Sequence, residues 1–320
     1  MFKRMLVPLD GSELAEVVFT YAKELAGRLD IEVILFLVVS PALREFIPMH
    51  HAYIQQVIKT IRHQSREVQK GSGIQPGGKP IEVRGELTEG YPAEEILRYA
   101  DENAIDLILI ATHGRSGNKR WTMGNVADKV LRAAKIPVLL VRAGISDNIP
   151  YDQWPRKTIL VPLDGSELAE SALPYVATLS KQRGAEQINV TLLRVCEPPA
   201  PPSYYAPELA GVPLNWGEYM NQEVARCKRV ANEYLAGVEK RLKDSGISVR
   251  SEVLVGKAAD AIVDYANKSP FNLIVMTTHG RSGLSRWVYG SAAENILQGV
   301  SSPLFLVKPQ QSDSSIKKEG

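Results

Sequence analysis

The segment LVPLDGSELAE occupies residues 6–16 and returns, letter for letter, at residues 160–170. A second block, THGRSG, stands at residues 112–117 and again at 278–283. Each time it is followed by Arg-Trp (Arg120-Trp121, Arg286-Trp287) and a glycine, Gly124 or Gly290. A chain that repeats itself at such spacing is a tandem duplication, so its fold has to be one unit built twice. The first block recurs 154 residues on (6 to 160) and the second 166 residues on (112 to 278), which gives the second copy twelve more residues between the blocks.

The chain of 320 residues is long enough for two ordinary domains. The repeat places them at residues 1–143 and 157–309, with loop-like residues 144–156 as linker and a polar tail, 310–320, that reads as disordered. The extra length of the second copy falls in residues 197–221, rich in proline and tyrosine, which reads as a lid, a partner-binding loop or a tolerated surface insertion. Lys+Arg of 38 against Asp+Glu of 36 leaves a net charge of +2, which gives no reason to expect nucleic acid or an anionic membrane as partner. No apolar stretch approaches the roughly 20 residues of a membrane span, and the N-terminus runs into a strand without a signal-type apolar core. A cytoplasmic location is therefore expected. Cys196 and Cys227 both lie in the second copy without metal-like spacing, so reduced structural thiols are expected.

Apolar runs rich in Val, Ile and Leu alternate with amphipathic stretches of helix length, the pattern of βαβ units around a buried parallel sheet. In the first unit strands are expected at 5–9, 33–39, 81–86, 107–111 and 137–141, and helices at 12–27, 54–69, 92–103 and 124–134. In the second, strands fall at 158–163, 189–195, 249–254, 273–277 and 304–307, and helices at 166–183, 218–244, 258–267 and 290–298. The fold class is α/β: two tandem flavodoxin-like or Rossmann-like domains, each an open five-stranded parallel sheet with helices on both faces, with the flavodoxin-like order preferred. Ligands of such sheets sit at the carboxyl ends of the strands.

Strand four of each unit ends in His-Gly, nine residues follow, and a glycine opens the next helix: Gly114 with Gly124-Asn125, and Gly280 with Gly290-Ser291. A glycine at a helix start lets an anion approach bare backbone N–H groups where the helix dipole favours it, so a phosphate chain is the natural occupant. Ser291 adds a hydroxyl. Strand one brings Asp10 or Asp164 to the same edge, where a carboxylate can accept from ribose hydroxyls or hold magnesium. Asp10 to Glu13 and Asp164 to Glu167 also scan as helix N-caps, a role compatible with binding. Pro8 and Pro162 stiffen the strand exit. The repeated Arg115, Arg281, Arg120, Arg286, Trp121 and Trp287 read either as a cationic loop over phosphates or as a solvated loop pinned by one tryptophan. His113 and His279 lack a partner nucleophile or acid at readable spacing and read as structural. The Met49-His50-His51 run, present only in the first unit, is weaker still as a metal site.

The strand-Asp start, the G-x9-G element and the PVLLV or PLFLV final strand resemble the universal stress protein family, here as a tandem two-domain member, over nearly the whole chain. In the ATP-binding branch of that family the motif is G-x2-G-x9-G-(S/T). The resemblance implies phosphate contacts at Gly114, Gly124, Gly280, Gly290 and Ser291, adenine contacts at Val38 and Val195, and ribose or metal contacts at Asp10 and Asp164. ATP, with magnesium, is the implied ligand. The chain departs from the motif at Ala111 and Thr277, which replace its first glycine, and at Asn125, which replaces its Ser/Thr. The resemblance also implies that the two final strands meet across a two-fold axis in an internal pseudo-dimer, which can dimerise again.

Three functions follow in order: a stress-response nucleotide switch acting on an unknown protein partner, a ligand-free scaffold working through dimerisation and partner contacts, and an ATP-hydrolysing or adenylating enzyme. The enzyme ranks last, because strand one is followed by LDGSE rather than SGGxDS or HxGH, and there is no GxxxxGK[ST] run.

Overall fold

The computed structural model describes residues 2–71, 81–112, 123–143, 157–181, 188–199, 216–268, 271–278 and 290–309. The first unit runs β1 (Arg4–Leu9), α1 (Glu13–Glu16), α2 (Phe19–Leu29), β2 (Glu32–Val39), a 3-10 segment Pro41–Phe46, α3 (Ile47–Gly71), β3 (Val83–Glu89), α4 (Pro92–Glu102), β4 (Leu107–Ala111), α5 (Asn125–Ala133) and β5 (Val138–Val141). The second runs β6 (Thr158–Pro162), α6 (Glu167–Glu170), α7 (Leu173–Ser180), β7 (Asn189–Cys196), α8 (Trp216–Asp244), β8 (Ser248–Val255), α9 (Ala258–Lys268), β9 (Leu273–Thr277), α10 (Ser291–Gly299) and β10 (Leu304–Val307).

The single helix expected after each first strand is two. In the second unit Pro174 has no N–H to continue α6 and sits instead in the first turn of α7. In the first unit the break falls at the paired β-branched residues Val17 and Val18.

The strands form one sheet in the order β3-β2-β1-β4-β5-β10-β9-β6-β7-β8. Each unit therefore has the order 3-2-1-4-5, which corrects the flavodoxin-like order expected. The winding direction reverses at the first strand, and right-handed crossovers then place helices on opposite faces. Leu25, Ile58 and Ile61 cover the face formed by Val7, Leu35 and Leu109. Ile96 and Val130 cover the face formed by Leu6, Ile34 and Ile108. Burial on both faces explains the near-continuous apolar strands.

Reversal also opens the site. β1 and β2 stay in register from Arg4↔Glu32 to Leu9↔Leu37, whereas β1 and β4 pair only at Met5↔Leu107 and Leu6↔Ile108. In the second unit β6 and β9 pair only at Ile159↔Leu273 and Leu160↔Ile274. Each neighbouring pair splays toward its carboxyl ends, leaving a crevice at the switch point.

The final strands are not edges. β5 and β10 pair antiparallel, Leu139 opposite Phe305, and all their residues are buried. The two five-stranded sheets thus close into a ten-stranded one, and the apolar edges that would template aggregation are sealed against each other. Phe2 of the first unit stacks on Tyr175 and meets Phe305 edge-on, both at 5.9 Å. Lys157 of the second unit reaches the buried Glu24 of the first at 3.4 Å, and Glu24 also pairs with Arg28 at 2.6 Å, so that carboxylate is not buried without a partner.

Candidate functional site

At the carboxyl end of β1 the Asp10 Oδ1 accepts from the Ser12 amide at 3.0 Å and from its hydroxyl at 2.6 Å, and the Ser12 Oγ accepts from the Ala15 amide. Asp164, Ser166 and Ala169 repeat the chain at 2.9, 2.6 and 3.1 Å. The N-caps are therefore Ser12 and Ser166, not the aspartates, and each aspartate orients its serine. The turn depends on glycine, because Gly11 and Gly165 have φ of 77° and 87°. Glu16, at the end of α1, takes a hydrogen bond from Tyr53 of α3 at 2.8 Å. Burial first, then Glu16, push the Tyr53 hydroxyl well above its ordinary pKa. Burial and Glu170 do the same to Tyr234 of α8.

Facing this turn, the end of the fourth strand is tied to the next helix. The Thr278 amide donates to Val307 O at 3.0 Å and the Gly290 amide donates to Thr278 O at 3.2 Å. In the first unit Thr112 and Gly124 do the same at 2.8 and 2.7 Å, and Thr112 Oγ1 also accepts from the Ala143 amide. Gly290 and Gly124 are the N-cap residues of α10 and α5, with φ/ψ of −58°/144° and −64°/148°, conformations open to any residue. Among the described residues a Cβ at Gly290 would meet only Thr278 O at 3.8 Å, whereas one at Gly299 would press on Val263 at 2.8 Å. Neither its backbone conformation nor its packing against the described residues calls for glycine at 290. What glycine provides there is close approach to a helix N-terminus that has no side-chain cap.

In the second unit these elements enclose a cavity of about 480 Å³, within the range of small-molecule sites. Pro162, Asp164, Val195, Thr277, Gly290 and Ser291 all line it, so the sequence-derived residues of this unit that fall among the described ones come together. Ser291, Ala292 and Ala293 present the first turn of α10, while Ile262 and Ile296 give an apolar side. Among the described lining residues there is no histidine to serve Ser291 as a base. In the first unit Pro8 and Asp10 end and follow β1, Val38 lies half-buried near the end of β2, Ala111 closes β4 and Asn125 opens α5. Gly114 and Gly280 lie outside the described residues, as do His113, His279 and the loop arginines and tryptophans. His50 is buried while Met49 is 55% exposed, and among the described residues no group of three or more His, Cys, Asp or Glu gathers as for a metal. Nor is any described helix long and apolar enough to cross a membrane.

Arg194, Glu197 and Cys227 are among the lining residues that the sequence does not reveal. Arg194 interrupts the apolar run of β7 and stands 5.0 Å over the Tyr234 ring. Its counterpart by strand register is Leu37. Glu197 accepts from the Ala258 amide at 2.7 Å and so caps α9. Cys227 is the third, and here the expectation of reduced thiols is corrected: Cys227 of α8 is disulfide-bonded to Cys196 of β7, with Cα atoms 5.9 Å apart, an ordinary span for the bond. The pairing joins residues 31 apart across the extra length of the second copy, which no local pattern signals.

Comparison with known proteins agrees with this doubled architecture. The profile of the Universal stress protein family matches residues 1–142 and again 155–308. A universal stress protein of Methanocaldococcus jannaschii is 28% identical over 142 residues, covering 44% of this chain and 83% of the relative. One from Mycobacterium tuberculosis is 24% identical over 230 residues, covering 72% of this chain and 70% of its own. A crystal structure of a universal stress protein from Archaeoglobus fulgidus superposes with a TM-score of 0.63 at 20% identity, over 95% of this chain and 98% of that one, a likeness of fold. With the profile matched once per unit and the duplicated sheet laid out above, the chain belongs to the universal stress protein family.

Proposed function

We propose that the second unit binds ATP together with magnesium, and that the protein works as a nucleotide-dependent switch toward a protein partner. The observation that carries the reading is Gly290, a glycine that neither its backbone angles nor its neighbours among the described residues require, at a helix N-terminus without a side-chain cap among those residues, facing a cavity of about 480 Å³. Phosphates fit that turn, with the Ser291 hydroxyl as a further donor. Asp164 and Glu197 offer acceptors for ribose hydroxyls, and Val195 stands at the apolar side for the base. The described donor set does not make a metal cage, so magnesium in this reading arrives on the phosphates and keeps most of its waters. The first unit repeats the Asp-Gly-Ser turn and the Gly124 tie, with Asn125 for the serine, and is a second candidate.

A scaffold reading is favoured by one feature: Ala111 and Thr277 stand where the ATP-binding motif has glycine. Thermal melting with and without saturating ATP and magnesium separates the two, since a ligand of the folded state raises the melting temperature. A rise supports the switch, and an unchanged melt at saturating ATP supports the scaffold.

A further inference from the structure

Cys227 is both a wall of the second cavity and half of a disulfide. Its partner, Cys196, is 1% exposed and ends β7, the strand that also supplies Val195 to the cavity. The bond therefore fastens α8 to the sheet at the cavity wall. The first unit has no equivalent, because strand register places Val39 opposite the position of Cys196, and both cysteines of the chain lie in the second copy. Across the sheet from the bond, the Gly256 amide donates to Cys196 O at 3.0 Å, and the α9 turn that follows Gly256 lines the cavity through Ala258. Movement at Cys196 or Cys227 thus reaches two sides of one cavity.

We infer that Cys196–Cys227 is a thiol–disulfide centre coupled to the ligand cavity of the second unit, so that oxidation strengthens and reduction weakens ligand binding there. The inference rests on the nucleotide reading above and adds its regulation. A dithiol reductant supplies the electrons. Its thiolate attacks the Sγ of Cys227, the less buried of the two residues, breaking the S–S bond. Cys196 leaves as a thiolate and takes a proton. The second thiolate of the reductant then displaces Cys227, which is protonated in turn, and the reductant ends as its own disulfide. Two electrons and two protons have passed to the protein. Reduction leaves α8 held to β7 by non-covalent contacts, the Arg194–Tyr234 one among them, and the cavity wall loses its covalent tie.

Coupling is reciprocal, so bound ligand resists reduction by the factor that reduction costs in affinity. The test uses the full chain. Protein equilibrated in dithiothreitol redox buffers is alkylated and weighed, with and without ATP and magnesium, and the same ATP–magnesium solution is titrated calorimetrically into oxidised and reduced protein. We expect affinity in the second unit to fall about tenfold on reduction, as is usual for coupled sites, and the midpoint to shift about 30 mV lower with ATP bound. The C196S/C227S variant is expected to bind with the reduced protein's affinity in every buffer, and Gly290→Val to keep the disulfide while losing the ATP-dependent shift. Equal affinity in the two redox states overturns the coupling and leaves the nucleotide reading standing. Two alkylatable thiols in fully oxidising buffer overturn the centre itself. Absence of ATP binding in both states overturns the nucleotide reading and the coupling with it.

Discussion

Arg142 and Lys308 exchange the same contact across the junction. Each follows the last strand of its unit, and each donates to the last turn of the other unit's final helix, Arg142 to Leu297 O at 2.6 Å and Lys308 to Arg132 O at 3.0 Å. A cation at a helix C-terminus satisfies an orphan carbonyl and complements the dipole. Burial pulls both cations below their ordinary pKa, Lys308 with help from Lys135, so each meets a desolvation penalty that the carbonyl offsets. Arg142→Ala is expected to cost about 1.5–3 kcal/mol, the range for hydrogen bonds to charged groups. Urea unfolding of the full chain checks this; an unchanged midpoint would mean that the contact holds nothing.

Tyr53 and Tyr234, the described tyrosines raised furthest, set an alkaline limit. In the unfolded chain Tyr53 and Tyr234 ionise near 10, whereas in the folded protein both hold their protons to higher pH. Above pH 10 the folded state therefore binds more protons than the unfolded one, and stability falls as pH rises. The limiting slope is about 1.4 kcal/mol per pH unit per group, and the observed one is smaller because both rings are partly exposed to screening solvent. Urea midpoints between pH 9 and 12 are expected to decline, and to decline less steeply in Tyr53→Phe; parallel slopes in the two proteins would contradict the assignment.

Gly165→Ala tests the turn below the second cavity. At φ of 87° an added Cβ is strained whatever the space around it, so a loss of about 1 kcal/mol is expected. Because Asp164 and Ser166 hold their hydrogen bonds through that turn, ATP affinity falls with stability. A stable variant of unchanged affinity would show that the turn tolerates relaxation.

Much of this architecture was legible because the chain is written twice. The two copies located both units, the Asp-Gly-Ser turns and the paired Gly124 and Gly290. Strand order was not legible, since apolar periodicity reports burial on two faces and is blind to which strand lies beside which. The third strand was read as ending at Glu86, yet β3 continues to Glu89: it is an edge strand, and only Val83 is fully buried. The capping serines were hidden by ambiguity, because an aspartate two residues before a serine can cap a helix itself or orient the residue that does. Arg194 and Cys227 were missed for a common reason. Their roles depend on how the long α8 lies against β7, a packing relation that no spacing in the sequence encodes.

Reduction of Cys196–Cys227 also has a cost in stability. Releasing a loop whose ends are 31 residues apart lowers stability by about 3.7 kcal/mol in the chain-entropy account. The C196S/C227S chain is expected to unfold at lower urea than the oxidised protein and to match the reduced one. A double variant as stable as the oxidised protein would show that the bond constrains nothing in the folding equilibrium.

The central claim is that Gly290 is kept for a nucleotide, and titration calorimetry of ATP with magnesium into nucleotide-stripped wild type and Gly290→Val tests it most directly. The backbone angles suit valine and, among the described residues, its Cβ meets only Thr278 O at 3.8 Å, so the variant is expected to fold as wild type does. The account predicts binding to the wild-type second unit and its loss in the folded variant; equal heats and equal affinity in the two proteins would contradict it.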